Sequence, residues 1–169
     1  MNNTTFNPKG ELLKRCAPTE IREGKILCGF VHDPLAGVQG GVSGNAGLFS
    51  TADDLAIFAQ MMLNKGIYNG KRILSPKTVE LMTTVYPKVE FAKRGLGWDI
   101  NSAYDHQRGD IFEIGSYGHT GFTGTSIHIS PKENVFVIIL TNRVHPDGKG
   151  NVISLRRAIA NIVASSINR

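Results

Sequence analysis

The chain has 169 residues, 41% hydrophobic and 20% charged, proportions that exclude wholesale disorder, and no apolar run approaches the ~20 residues needed to cross a bilayer. Its length suits one compact unit, or a piece of one, and is short for two domains. The net charge of +5 comes from scattered Lys and Arg in runs no longer than two, which reads as solvated surface; no zinc-finger or aromatic-basic motif argues for nucleic acid.

Residues 1–36 are expected to be an irregular connecting segment with little helix, because Pro8, Pro18 and Pro34 interrupt short apolar pieces such as Ile26–Val31. Met1–Phe6 shows neither the basic start nor the apolar core of a secretory leader, so the compartment stays open. Cys16 and Cys28 form no Cys-x-x-Cys and no metal pattern, and are read as incidental thiols rather than a disulfide.

Residues 37–90 form a glycine loop followed by helices. Gly37–Gly47 has five glycines in eleven residues, without the spacing of a phosphate cradle, and Gly41-Val42-Ser43-Gly44-Asn45 lacks the last glycine of a nucleophile elbow. Ser50-Thr51-Ala52-Asp53 resembles a capping box, and Leu55, Phe58, Ala59, Met62 and Leu63 follow at helical spacing up to a closing Gly66. Ser75-Pro76 caps a second helix running to about Met82.

Residues 91–169 should hold a sheet and a terminal helix. Leu96, Trp98 and Ile100 alternate as a strand, and the polar excursion 101–110 places Tyr104 and His106 where they can rim a substrate site. Thr123, Thr125, Ile127 and Ile129 alternate with Phe122, Gly124, Ser126 and His128, giving a strand with two different faces. Ser130–Asn134 turns the chain into Val135–Leu140, an unbroken apolar run expected to be a central strand covered on both faces. Val152, Leu155, Ile159, Ile162 and Val163 form an apolar stripe on a C-terminal helix, with Arg156, Arg157 and Asn161 elsewhere. The expected fold is α+β: an antiparallel sheet of three to five strands, the C-terminal helix packed on it, and a small helical layer from 50–85.

His119-Thr120-Gly121 resembles the third motif of the serine β-lactamases, penicillin-binding proteins and related esterases and peptidases, usually Lys-Thr-Gly with His-Thr-Gly as a tolerated variant. Gly40–Leu55, Leu74–Met82, Gly95–Trp98 and Leu140–Pro146 are similar, in that order, to the C-terminal half of the class C-like branch. The resemblance implies that His119 and Thr120 face substrate, that Gly121 lets it approach the strand, and that the Phe122 N–H donates to an oxyanion. Thr123, Tyr104 and His106 are candidate substrate contacts. It implies no cofactor and no metal.

The family's nucleophile sits in Ser-x-x-Lys and its second motif is commonly Tyr-x-Asn; neither spacing occurs here. The chain is therefore expected to be the C-terminal portion of a single β-lactamase/transpeptidase-like domain, inactive alone. Its intact parent would cleave a small peptide, β-lactam or ester through an acyl-enzyme. A binding domain, or a subunit that completes a separate N-terminal half or self-associates, is the alternative. A self-contained triad of Ser116 or Ser126 with His119 and Asp110 is a further option, poor for Ser116 because residues three apart in a strand face opposite sides.

Overall fold

The computed structural model describes residues 1–102 and 107–167, and for residues 89 and 90 the backbone alone. Its centre is an antiparallel sheet of β7 (Tyr117–Thr120), β8 (Thr125–Ser130) and β9 (Val135–Leu140), in that spatial order. Period-2 alternation splits β8 between two cores. Ile127 and Ile129 pack with Ala59, Met61, Met62, Val79, Trp98 and Tyr117 on one side. On the other side Val137 and Ile139 of β9 pack with Phe112, Ala160 and Ala164. Ile129 is fully buried, which contributes about 1.5–3 kcal/mol relative to an exposed side chain.

The first core is closed by α3 (Ala52–Leu63) and α4 (Pro76–Thr83). Thr51 caps α3 by accepting from the Asp54 N–H at 3.3 Å, with Asp53 and Asp54 in the first turn, where carboxylates favour the helix dipole. Gly66 ends it at φ 92°, its N–H donating to Met61 O at 2.8 Å. Ser75 caps α4 through the Thr78 N–H at 3.0 Å, with Pro76 in the first turn. Asp54 is buried and accepts from the Asn3 N–H (2.8 Å) and Thr4 Oγ1 (2.7 Å), tying the first residues to α3. The Thr4 bond leads the causes that hold its carboxyl below the usual range.

Several expectations change. Val135–Leu140 has cores on both faces, but it is an edge strand among the described residues, with β8 in the centre. An apolar run reports burial above and below, not hydrogen bonding at the sides. Residues 1–36 are more ordered than expected: β1 (Thr5–Phe6) pairs with β4 (Leu48–Phe49), α1 spans Gly10–Lys14, β2 (Pro18–Arg22) and β3 (Lys25–Cys28) form a hairpin, and α2 spans Pro34–Val38. Pro18 is tolerated as the first residue of its strand. A small hairpin of β5 (Ile67–Tyr68) and β6 (Lys71–Arg72) follows α3. Leu96–Ile100 is no regular strand; Asp99 alone bridges to Gly118 of β7, through bonds of 2.8 and 2.9 Å.

The C-terminal helix α5 (Ile153–Ser166) packs on the sheet with a rotated face. It buries Arg156, Ala160 and Ala164, while Leu155 and Ile162 of the expected stripe are 45% and 66% exposed. Small Ala side chains let the helix approach the sheet closely. Arg156 crosses the layer to donate from Nη2 to Gly121 O (3.0 Å) and Thr125 O (2.8 Å). Removing it takes away two charge-assisted bonds and a buried side chain, leaving Gly121 O and Thr125 O with only the backbone donors of Gly124 and Gly121. Arg156→Ala is expected to lower unfolding free energy by on the order of 3 kcal/mol, read as an earlier urea midpoint at unchanged slope; an unchanged midpoint contradicts the role.

His128 of β8 is fully buried, its ring 4.7 Å from that of Phe112, and neither ring nitrogen has a partner among the described residues. Burial, and then the charge of Arg108, push its pKa down to about 4. The unfolded chain takes up this proton near pH 6.5 while the folded chain resists it, so stability is lost as pH falls from about 6.5 toward 4, by on the order of 3 kcal/mol. His128→Leu is expected to remove that slope from urea melts taken across the window. Equal slopes in both proteins would refute the assignment.

Candidate functional site

β7 carries the motif to its end and then turns sharply. Phe122, Thr123 and Gly124, expected as the start of the alternating strand, form a turn instead and β8 begins at Thr125, because Gly121 and Gly124 allow the chain to reverse there. Thr120 pairs with Ser126 as the last rung. The Gly121 N–H donates to Thr125 O at 2.7 Å, and the Gly124 N–H to Gly121 O at 3.1 Å. Gly124 sits at φ 125°, and a Cβ there would lie 2.6 Å from Thr141 O and 2.9 Å from Arg143 N. Only glycine fits. A Cβ on Gly121 would lie 2.2 Å from Thr125 Oγ1 with its next contacts at 3.6 Å, so a side chain there requires the Thr125 hydroxyl to rotate away, whereas Gly124 is fixed by backbone.

Every carbonyl of 121–124 is engaged. Gly121 O accepts from the Gly124 N–H and Arg156, Phe122 O from Arg143 Nε (2.7 Å), Thr123 O from the Arg143 N–H (2.8 Å), and Gly124 O from Thr141 Oγ1 (2.6 Å). The Phe122 and Thr123 N–H groups have no partner among the described residues. Saturated acceptors beside two free, successive donors suit a negative charge, more so with the Arg143 and Arg156 guanidinium groups bonded to the same turn.

His119 is exposed at the strand's outer side. Its Nε2 meets Arg94 Nη2 at 2.5 Å and its Nδ1 lies 2.9 Å from Thr120 O. Guanidinium can only donate, so Nε2 accepts and Nδ1–H donates to the carbonyl; the partners assign the neutral Nδ1–H tautomer. Arg94 is in turn 3.3 Å from buried Asp99, which also accepts from Ser102 N and Oγ. The motif thus sits against the Arg94–Asp99 ion pair, with the Arg94 guanidinium between Asp99 and the imidazole.

The Phe122 ring is 70% exposed yet braced. It stacks on His32 (centroids 5.5 Å, interplanar 25°), and Arg143 Cζ lies 4.2 Å from its centroid. His32 Nε2 lies 3.2 Å from Glu20 Oε2 without meeting hydrogen-bond geometry, and the His32 carbonyl accepts from Arg22. Glu20 is kept ionised by Arg22 first and then by His32.

His119, Thr120, Gly121, Phe122 and Thr123 therefore lie together on one strand end and turn, while Tyr104 and His106 fall outside the described residues. The alternative triad does not assemble: Ser116 Oγ donates to Glu113 O at 2.7 Å, Ser126 is buried, and Asp110 is bound by Arg157 and Asn161. Those two partners, Arg157 foremost, hold the Asp110 carboxyl below its usual range. Two Ser-x-Asn spacings do occur, Ser43-Gly44-Asn45 and Ser166-Ile167-Asn168. In the first, Ser43 Oγ bonds its own Asn45 Oδ1 at 2.6 Å on an exposed loop; the second ends outside the described residues. No group of three or more His, Cys, Asp or Glu able to hold a metal occurs among the described residues. Arg94, Arg156 and His32 had no sequence signal, since none lies in a motif or a segment of resemblance; Arg143 lies in the Leu140–Pro146 segment but nothing there marked its role.

The beta-lactamase family profile matches residues 1–162. A protein of Salmonella gallinarum named D-alanyl-D-alanine carboxypeptidase is 40% identical over 163 residues, covering 86% of this chain and 37% of that protein. A like-named protein of Salmonella paratyphi B is 39% identical over the same shares. The chain thus spans 37% of the length of these curated relatives. A crystal structure of a beta-lactamase from Mycobacterium bovis superposes with a TM-score of 0.56 at 28% identity, over 73% of this chain and 47% of that one. Profile, relatives and fold converge with the His-Thr-Gly strand, and the chain belongs to the beta-lactamase family.

Proposed function

We propose that this chain is the C-terminal part of a β-lactamase-related serine hydrolase that cleaves amide or ester bonds through an acyl-enzyme, and that it contributes the oxyanion and substrate-anchoring wall. The observation that carries this is the free pair of N–H donors at Phe122 and Thr123, held beside His119. In acyl transfer the carbonyl oxygen of the substrate gains negative charge as the nucleophile attacks, and fixed N–H donors stabilise that charge without reorganising. His119 and Thr120 line the strand along which the substrate backbone runs. Arg94, bonded to His119 and ion-paired with buried Asp99, adds guanidinium N–H donors beside the strand that a substrate carboxylate can use in competition with Asp99.

The nucleophile and its base come from residues outside this sequence, which has no Ser-x-x-Lys and no Tyr-x-Asn. No cofactor or metal enters the scheme. A second reading is favoured by the outer edge of β9, which pairs with no further strand among the described residues, and by exposed Leu140, Leu155 and Ile162. In it, the chain is a non-catalytic binding unit, or a subunit that docks a separate N-terminal half or a second copy of itself on this edge.

Intact-mass spectrometry after exposure to a fluorophosphonate and, separately, to a penicillin tests the first reading, with an active full-length family member as control. No adduct is expected on this chain while the control is labelled. A stoichiometric adduct on one serine would place a nucleophile within these residues and overturn the division of labour.

A further inference from the structure

The two cysteines stand outside the site and have no part in its proposed chemistry. Cys16 follows α1, Cys28 ends β3, and the hairpin register sets Pro18 opposite Cys28. Cys28 Sγ donates to the main-chain oxygen of Cys16 at 3.2 Å, while Cys16 Sγ donates to Leu12 O at 3.3 Å. Both are free thiols, Cys28 exposed and Cys16 half-buried. A sulfur within hydrogen-bond reach of the partner's own main chain puts the two Cα atoms in or within about 2 Å of the ~4.4–6.8 Å range of disulfides. Rotation about χ1 turns each Sγ toward the other, and any excess Cα separation is closed by a small backbone shift at the exposed end of β3. The sequence spacing gave no reason to pair them; the fold of the hairpin does.

We propose that Cys16 and Cys28 are a disulfide-forming pair, a reversible oxidation site that clasps the end of α1 to the β2–β3 hairpin. Exposed Cys28, as thiolate, attacks one sulfur of a small-molecule disulfide such as oxidised glutathione, forming a mixed disulfide and releasing one glutathione thiolate. Cys16, once deprotonated, attacks the Cys28 sulfur and expels the second. The two cysteine protons end on two glutathione thiols, and the two electrons lost by the pair reduce the oxidant. Burial, and then the neighbouring Cys28, raise the Cys16 thiol pKa, which fits Cys28 as first nucleophile.

The clasp sits at the root of a segment that bears on the site. β3 leads within four residues to His32, which stacks on Phe122. The hairpin is also fixed to the chain after β9: Ile21 N–H donates to Pro146 O at 3.2 Å, Asn142 Nδ2 donates to Pro18 O, and His145 Nδ1 contacts Thr19 O at 2.9 Å. The inference rests on the thiols alone and stands or falls apart from the reading of the site.

The test equilibrates the chain with reduced and oxidised glutathione, natively and in concentrated urea, followed by acid quench, alkylation, intact mass and peptide mapping. The expected native product is about 2 Da lighter than the dithiol, with one cross-linked peptide pair containing Cys16 and Cys28. Its formation constant should be at least about tenfold larger natively than in urea, because the fold and not chance loop closure brings the sulfurs together. Cys16→Ser and Cys28→Ser should each stop at a single glutathione adduct. Persistent glutathione adducts on the native wild-type chain, or a disulfide no more favourable natively than in urea, would overturn the proposal.

Discussion

A buried guanidinium holds the candidate site together. Arg156 is 5% exposed and pairs with no carboxylate among the described residues; its Nη2 donates to the carbonyl oxygens of Gly121 and Thr125. Burial first, and Arg143 second, lower its pKa, the expected cost of a cation in a poorly hydrated layer. Arg143 repeats the device from the chain after β9, bonding Phe122 O and, through its own N–H, Thr123 O. Two cations thus draw all the lone-pair character of the turn inward. What remains without a partner among the described residues is the Phe122 and Thr123 N–H, and such donors are what an oxyanion requires.

This arrangement depends on the sheet being clamped between α3 and α5. β8 alternates Ile127 and Ile129 toward the first core with Ser126, His128 and Ser130 toward the second side, and all of the latter are buried. A polar stripe in that position costs stability unless its groups are satisfied. Ser130 answers by bonding Glu133 in the following turn, and His128 by remaining neutral. Small Ala160 and Ala164 keep α5 near enough for Arg156 to span the layer. The site turn and the helix packing are therefore one structural problem.

The parts of this structure governed by local rules were legible in the sequence. Ser75 caps the helix it was expected to cap, and the cap of α3 falls at Thr51, one residue after the Ser50 that the capping box points to. The β8–β9 hairpin follows from alternation, a turn and an apolar run, although its first strand starts at Thr125 rather than Phe122. The His-Thr-Gly motif was readable because it is short and contiguous. Other features needed the third dimension. Arg156 looked like a surface residue beside an apolar stripe; the helix instead presents Ala160 and Ala164, because their size sets how close it sits. Arg94 meets His119 across 25 residues of sequence, and no periodicity encodes that. The edge position of β9 was misread because two covered faces look the same in a central strand and in an edge strand whose sides are open.

The most direct measurement is a series of ¹H–¹⁵N spectra of the chain titrated with an alkylphosphonate monoester, a stable stand-in for the tetrahedral anion of acyl transfer. The account predicts saturable downfield amide-proton shifts at Phe122 and Thr123, larger than at any other backbone N–H and absent in Arg156→Ala. Amides at 122 and 123 that stay in place while the anion perturbs other positions, or none, would contradict the claim that this turn is built to receive negative charge.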